Sequence, residues 1–328
     1  MTWPSGDARF QSRAISPTLV AAMPNRLPRP DRIARSYRTG SAWAARRCRS
    51  VALALAALPL ALGASPPPRK PQRIMSLMQC NDLMLLALVP RNRIGSITYL
   101  ARPAAEKLMP GRDRGIPINH GSAEEILRLK PDLILAGSFA TPVARRLARQ
   151  VGAPLVEIGP VNSFADIRVM TRTIGRAVGE PAAAEAMIAR MDATLRGLAA
   201  TRPARRVTVA AWSGSGSVPG PGTLTDEIIR IAGGVNVAAT LPDAGQGSFD
   251  VEHLLAAHPE AILQGESSWN GASLNAARAA HPLVQRLYRG RRITFSDPLY
   301  TCGLPQTAEA ARDLRRALLA LPPGGVPR

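Results

Sequence analysis

From Arg73 onward the chain alternates short apolar runs with longer amphipathic stretches, the pattern of parallel strands covered by helices. Candidate strands cover residues 73–77, 94–97, 133–136 and 155–158, then 207–212, 261–263 and 293–295. The two groups are separated by an almost unbroken helical pattern over residues 163 to about 200. Ser163 and Asp166 stand at capping-box spacing at its start. Gly175, Gly179 and Pro181 interrupt it, so it is either one kinked helix or two abutting ones. The predicted fold class is α/β: two Rossmann-like lobes with parallel sheets, joined by one long helix, with a ligand cleft between the lobes. The expected organisation is an N-terminal extension and signal peptide (1–64), an N-terminal α/β lobe (65–162), a connecting helix (163–203) and a C-terminal α/β lobe (204–328).

The two halves also share a unit. AEEILRLKPDLILAG, residues 123–137, aligns without gaps on VEHLLAAHPEAILQG, residues 251–265. Glu124 falls on Glu252, Pro131 on Pro259, Asp132 on Glu260 and Gly137 on Gly265. Each copy reads as a helix, a Pro-acid turn and a buried strand. Ser122 and Glu125 form a capping box that puts Glu124 in the first helical turn, with Ile126, Leu127 and Lys130 towards the sheet and Glu124 facing elsewhere; the same spacing exposes Glu252. A carboxylate in a first turn offsets the helix dipole by about 0.3 to 1 kcal/mol wherever it occurs, so partner binding is not needed to explain either glutamate.

Composition narrows the function classes. The 328 residues are 46% apolar, enough for two cores, and 4% aromatic. The formal charge of +19 points to nucleic acid until its location is considered. Residues 1–70 hold 12 Lys+Arg against 2 Asp+Glu, and the remaining 30 against 21 are scattered. The pairs Arg145/Arg146, Arg205/Arg206 and Arg291/Arg292 lack interleaved aromatics, which argues against a nucleic-acid partner. Ahead of the lobes, ARRCRS followed by VALALAALPLALGA is a basic region and a short apolar run, the form of a cleaved secretory signal and hence a periplasmic address. The run is too short to span a membrane, which takes about 20 residues, and Pro59 weakens it as a helix. Cleavage is expected near Gly63, Ala64 or Ser65, and Cys48 lies on the wrong side of the run for a lipid anchor. Residues 1–40 are Arg- and Pro-rich without apolar periodicity, and a start at Met23 would give a more ordinary signal.

Several segments, taken in order, resemble the class III periplasmic binding proteins that serve cobalamin and ferric-siderophore ABC importers. They are RIMSLMQCNDLMLLALVP, SAEEILRLKPDLILAG, TLTDEIIRIAGGVNV with its Gly233/Gly234 stop, FDVEHLLAAHPEAIL, and RRITFSDPLYTCGLPQTAEAARDL. The resemblance runs from Arg73 to about Leu321. It implies a monomeric, non-enzymatic binding protein that captures a small metal-chelate ligand, cobalamin or a ferric siderophore, and delivers it to an ABC transporter permease in the inner membrane. It also implies that a Glu on each lobe docks on permease arginines; by motif position these are Glu124 and Glu252.

Ligands of parallel α/β sheets bind beyond the carboxyl ends of the strands. That rule selects Gln79, Cys80, Asn81, Asp82, Tyr99, Leu100, His120, Ser138 and Phe139 on the first lobe. On the second it selects Trp212, Ser213, Gly214, Gln246, Glu266, Trp269, Tyr300 and Cys302. Tyr99, Trp212, Trp269 and Tyr300 would suit a large, partly apolar ligand, although Trp and Tyr also fill half-buried loop sites. For Cys80 and Cys302 three alternatives stay open: a disulfide tying the lobes, direct contact with a metal or ligand, and simple packing. His120 could touch a bound metal, but four His in the whole chain are few for a naked-metal site, so no metal site and no cofactor are assigned and a divalent-metal carrier is the lesser alternative. A two-lobed enzyme of chelatase type is the competitor from another class. There is no Walker loop, GxGxxG, GxSxG or HExxH to support it. The glycines of WSGSGSVPGPG match no phosphate-binding form; that stretch reads as a cleft loop before a helix capped by Thr223 and Asp226.

Overall fold

The computed structural model describes residues 69–138, 142–241, 249–266 and 273–324, without the side chain of Glu266. The signal segment, Phe139, Gln246 and Trp269 lie outside the described residues. Strands β1 (Ile74–Ser76), β2 (Ile94–Thr98), β3 (Ile118–Asn119), β4 (Leu133–Gly137) and β5 (Leu155–Ile158) form one parallel sheet in the order β3-β2-β1-β4-β5. Strands β6 (Thr208–Ala211), β7 (Val235–Asn236), β8 (Ala261–Glu266) and β9 (Arg292–Ser296) form a second in the order β7-β6-β8-β9. Parallel neighbours need crossovers, supplied in the first lobe by α1 (Gln79–Leu88), α2 (Ala101–Leu108), α3 (Ala123–Leu129) and α4 (Pro142–Gln150). Two edge strands, β3 and β7, are absent from the apolar pattern because each is only two residues long.

The stretch expected to be a connecting helix is two helices, α5 (Phe164–Ala177) and α6 (Pro181–Ala200). Gly179, at φ 74°, reverses the chain, and Pro181 starts the next helix. Ion pairs Arg168–Asp192 and Arg172–Glu185 show that the two run antiparallel. The link is therefore a helical hairpin and not one long helix. It enters both cores: Phe164, Ile167, Ile188 and Met191 pack with the second sheet, and Met170, Ile174, Ala184 and Met187 with the first.

The second lobe is completed by α7 (Leu224–Ala232), α8 (Val251–Ala257), α9 (Leu274–Ala279), α10 (Pro282–Leu287), α11 (Asp297–Thr301) and α12 (Thr307–Ala320). Thr223 caps α7 by accepting from the Asp226 N–H, as its spacing predicts. Among the described residues no helix is long and apolar enough to cross a membrane.

The sequence repeat is a structural repeat. Helices α3 and α8 both end in a left-handed residue before a proline, Lys130 at φ 47° and His258 at φ 44°, the only non-glycine residues of positive φ among those described. A following proline disfavours the right-handed α region, so the helix stops there. The acid after each proline then pins the first strand of its own sheet. Asp132 accepts from the backbone N–H of Gln72 at 2.7 Å and of Arg73 at 2.8 Å, while Glu260 accepts from the Thr208 N–H at 3.2 Å and pairs with Arg205. One detail differs from the spacing argument: only Ile126 of α3 turns fully inward, while Leu127 is 40% exposed and Lys130 is the exposed C-cap.

The chain crosses back between lobes near its end. Cys302 and Leu304, beyond β9, pack into the core of the first lobe. Gly303 between them has φ 61°, and a Cβ there would lie 2.5 Å from Val161 Cγ1. Gly303→Ala should therefore lower stability by about 1–3 kcal/mol, measured by denaturant unfolding; an unchanged midpoint would mean this crossing tolerates displacement.

Candidate functional site

On the first lobe the carboxyl ends of β2 and β3 bring two candidate rings together. Tyr99 and His120 stack with centroids 5.1 Å apart and planes 23° apart, and both are exposed, Tyr99 to 46%. Each is positioned from behind. The His120 backbone N–H donates to the Glu125 carboxylate at 3.0 Å, and its Nδ1 lies 3.4 Å from Oε1. Glu125 also accepts from the Ser122 N–H, and its own N–H donates to Ser122 Oγ, closing the capping box of α3. Burial acts to raise the Glu125 pKa, but hydrogen bonds from Ser122 and His120 outweigh it and hold the group at about 2, so it stays ionised. Behind Tyr99, the N–H and hydroxyl of Thr98 donate to Asp82 at 3.2 and 2.5 Å.

Gln79, Cys80, Asn81 and Asp82 are not a loop: they form the first turn of α1. Gln79 and Cys80 are half-buried, whereas Asn81 and Asp82 are fully buried and so lie beneath the surface and not along a cleft wall. Burial pushes the Asp82 carboxyl up to about 7, against the lowering effect of hydrogen bonds from Ser76 and Thr98. The Asn81 amide and Asp82 Oδ1 have no hydrogen-bond partner among the described residues.

Cys80 and Cys302 form a disulfide, with Cα atoms 4.9 Å apart across 222 residues of sequence. It joins the start of α1 to the end of α11 and so ties one lobe to the other. Beside it lies a cavity of about 140 Å³ whose wall includes Met78, Cys80 and Ser138 from the first lobe, Val161 from the link, and Thr301 and Cys302 from the second. Cys80, Ser138 and Cys302 are thus brought together. Met78 and Val161 were missed; Met78 stands beside the selected Gln79 and Val161 shortly after β5, which is the signal that could have found them.

The second lobe departs further from expectation. Trp212 is 2% exposed and packs against Phe249, rings 6.2 Å apart, and Tyr300 is 4% exposed against Phe295, rings 3.9 Å apart. Both belong to the core of their lobe, and burial, with a smaller contribution from Asp313, raises the pKa of the Tyr300 hydroxyl. Trp212 and Gly214 do border a cavity of about 230 Å³, with Phe249, Asp250, Glu252 and Arg278. Leu100 is half-buried, and Ser138 and Ser213 are exposed. Glu266 ends β8, its side chain lying outside the described set. Glu124 and Glu252 are both exposed in the first turn of their helices. No group of three or more His, Cys, Asp or Glu able to hold a metal ion occurs among the described residues.

Two parallel sheets, with the strand ends of the first and helix α11 of the second lobe meeting at a disulfide-linked joint, define a two-lobed α/β architecture. The chain belongs to the periplasmic binding protein family, which it matches over residues 74–288. Curated relatives include a cobalamin-binding protein of Halobacterium salinarum, 26% identical over 61% of this chain. The chain spans 55% of that relative's length. Among solved structures, the apo periplasmic heme-binding protein RhuT of Roseiflexus sp. RS-1 has a TM-score of 0.62 at 24% identity, covering 75% of this chain and 97% of that one. Heme-binding HutB of Vibrio cholerae gives 0.61 at 19% identity over 75% and 98%. The vitamin B12-binding protein BtuF of Vibrio cholerae gives 0.54 at 20% identity over 76% and 97%. These solved structures share the fold, and each is described as a binding protein.

Asp82 gives a pH test. Its folded pKa of about 7 lies above the unfolded value of 3.8, so the stability it contributes is fully present below pH 3.8 and is lost as pH rises through 7. Asp82→Asn should flatten this slope and be relatively more stable than the parent at pH 8 than at pH 5, read by urea unfolding. Equal slopes would show that the group is ionised throughout.

Proposed function

We propose that the chain is exported to the periplasm, captures a metal chelate of the tetrapyrrole class, cobalamin among them, and passes it to an ABC importer permease. The carrying observation is the exposed, stacked Tyr99–His120 pair at the strand ends of the first lobe. Two exposed rings stacked 23° from parallel offer an outer aromatic face with a polar edge, which suits a planar macrocycle. A ferric siderophore presents no such flat face. The named binding partners of the relatives, cobalamin and heme, are metal macrocycles, which supports the same choice. Export is supported by the basic and apolar segment ahead of the lobes and by a disulfide, which suits an oxidising compartment. Docking is assigned to Glu124 and Glu252, which occupy matching exposed positions of the repeat. Exposed ion pairs contribute about 0–1 kcal/mol each, so these glutamates orient docking more than they hold it.

Absorbance titration of the protein with cyanocobalamin and with haemin should give saturable one-to-one binding to at least one. Affinity should fall about tenfold or more in Tyr99→Ala with His120→Ala, a loss of ~1.4 kcal/mol. If neither chelate binds, the tetrapyrrole assignment is wrong. In a reconstituted importer, Glu124→Ala with Glu252→Ala should abolish uptake while ligand affinity stays nearly intact; loss of ligand binding would place the pair in the cleft.

A further inference from the structure

A cavity of about 480 Å³, larger than either described above, lies in the second lobe where α6 and α7 end and β6 begins. This is the strand-start end of the sheet. Arg202, Arg206, Arg230 and Arg315 line it, with Leu195 and Leu198 on its apolar wall and no acidic residue among those described.

Arg315 is 7% exposed and donates to the carbonyls of Leu198 at 2.6 Å, Thr201 at 2.7 Å, Ile231 at 2.5 Å and Ala232 at 3.1 Å. These carbonyls close the last turns of α6 and α7, so Arg315 satisfies two helix ends at once, without a carboxylate partner among the described residues. Arg206 likewise donates to the Gly234 carbonyl at 3.1 Å. Capping of helix ends accounts for those two arginines. It leaves Arg202 and Arg230, both exposed, the latter only at the outer limit of an ion pair with Glu227, 4.0 Å away. Their charge faces a hollow whose helix-end dipoles are already neutralised.

Pro203 and Gly233 also border a second hollow of about 200 Å³, with Val207, Leu318, Leu319 and Leu321. Leu319 is 62% exposed, one of the few large apolar side chains left in water. A cationic hollow abutting an apolar one matches a molecule that carries an anionic head on a hydrocarbon chain, because guanidinium forks pair with carboxylate or phosphate and the leucines cover the chain.

We propose that these two hollows form a second binding site, for an amphiphilic anion with a carboxylate or phosphate head on Arg202 and Arg230 and its chain along Leu318, Leu319 and Leu321. Two sources share that chemistry, a free fatty acid and an anionic membrane lipid. The test is calorimetric titration with decanoate below its micelle concentration, alongside flotation with phosphatidylglycerol and phosphatidylcholine vesicles. Saturable decanoate binding, weakened about tenfold or more in Arg202→Glu with Arg230→Glu and in Leu319→Asp, supports a site for the free acid; ~1.4 kcal/mol corresponds to that factor. Flotation with phosphatidylglycerol alone, lost in the same variants, supports the lipid source. Binding of neither probe, equal binding of uncharged decanol, or variants that bind like the parent would overturn the proposal. Chelate titration of the variants should match the parent, so that failure here is distinct from failure of the cleft assignment.

Discussion

The two lobes are held together because the joint between them is packed from both sides and then crosslinked. The hairpin of α5 and α6 buries apolar side chains in both cores, and each fully buried Ile, Leu or Met stabilises by roughly 1.5–3 kcal/mol. Cys302 and Leu304 return from the second lobe into the core of the first. The disulfide then closes a span of 222 residues, for which the chain-entropy estimate is about 5 kcal/mol. Separating the lobes would require pulling the hairpin out of one core and straining a covalent bond. Adjustment to a ligand is therefore left to side chains and loops at the rim, and the first-lobe rim is the better prepared: Asp82 fixes the residue before Tyr99, and Glu125 fixes His120.

Much of the fold was legible because parallel strands buried on both faces write themselves as apolar runs. Seven strands give such runs, although β5 and β9, at the sheet edges, are only partly buried. The two that do not, β3 and β7, end in asparagines whose burial no apolar pattern announces. Asn119 donates to the Ser76 carbonyl and Ser96 Oγ, and Asn236 to the Pro219 carbonyl and Asp226. Each asparagine ties an edge strand to its lobe through polar contacts that hydrophobic periodicity cannot register. The hairpin was half legible: Gly179 and Pro181 mark a break, but only the ion pairs across it reveal the reversal.

The site was less legible. The strand-end rule says where a ligand binds but not which way a side chain at a strand end points. Trp212 follows β6 directly and turns into the core, and Tyr300 does the same from α11. Asn81 and Asp82 mislead for another reason. Residues 81 to 86 of α1 are all buried, so even its polar members are internal, and a helix closed on every side carries no amphipathic signal.

The acidic corners show how equivalent positions can be built from different letters. In α3 the cap is Ser122 and the third helical residue, Glu125, holds the His120 ring; in α8 the cap is Asp250, which holds the ring of the third helical residue, His253, at 2.6 Å. Alignment of the repeat sets Glu125 against His253 and suggests opposite character, yet each corner carries one carboxylate beside one imidazole. In α3 the first-turn Glu124 stands outside that pair, whereas in α8 Glu252 also interacts with Asp250. Residues 1–70 hold 12 basic against 2 acidic residues, so the lobes carry the smaller excess of 30 against 21, and under the docking proposed above each corner presents a carboxylate on that mildly basic background. Under that proposal, two weak carboxylates at matching positions favour one docking orientation without supplying the affinity.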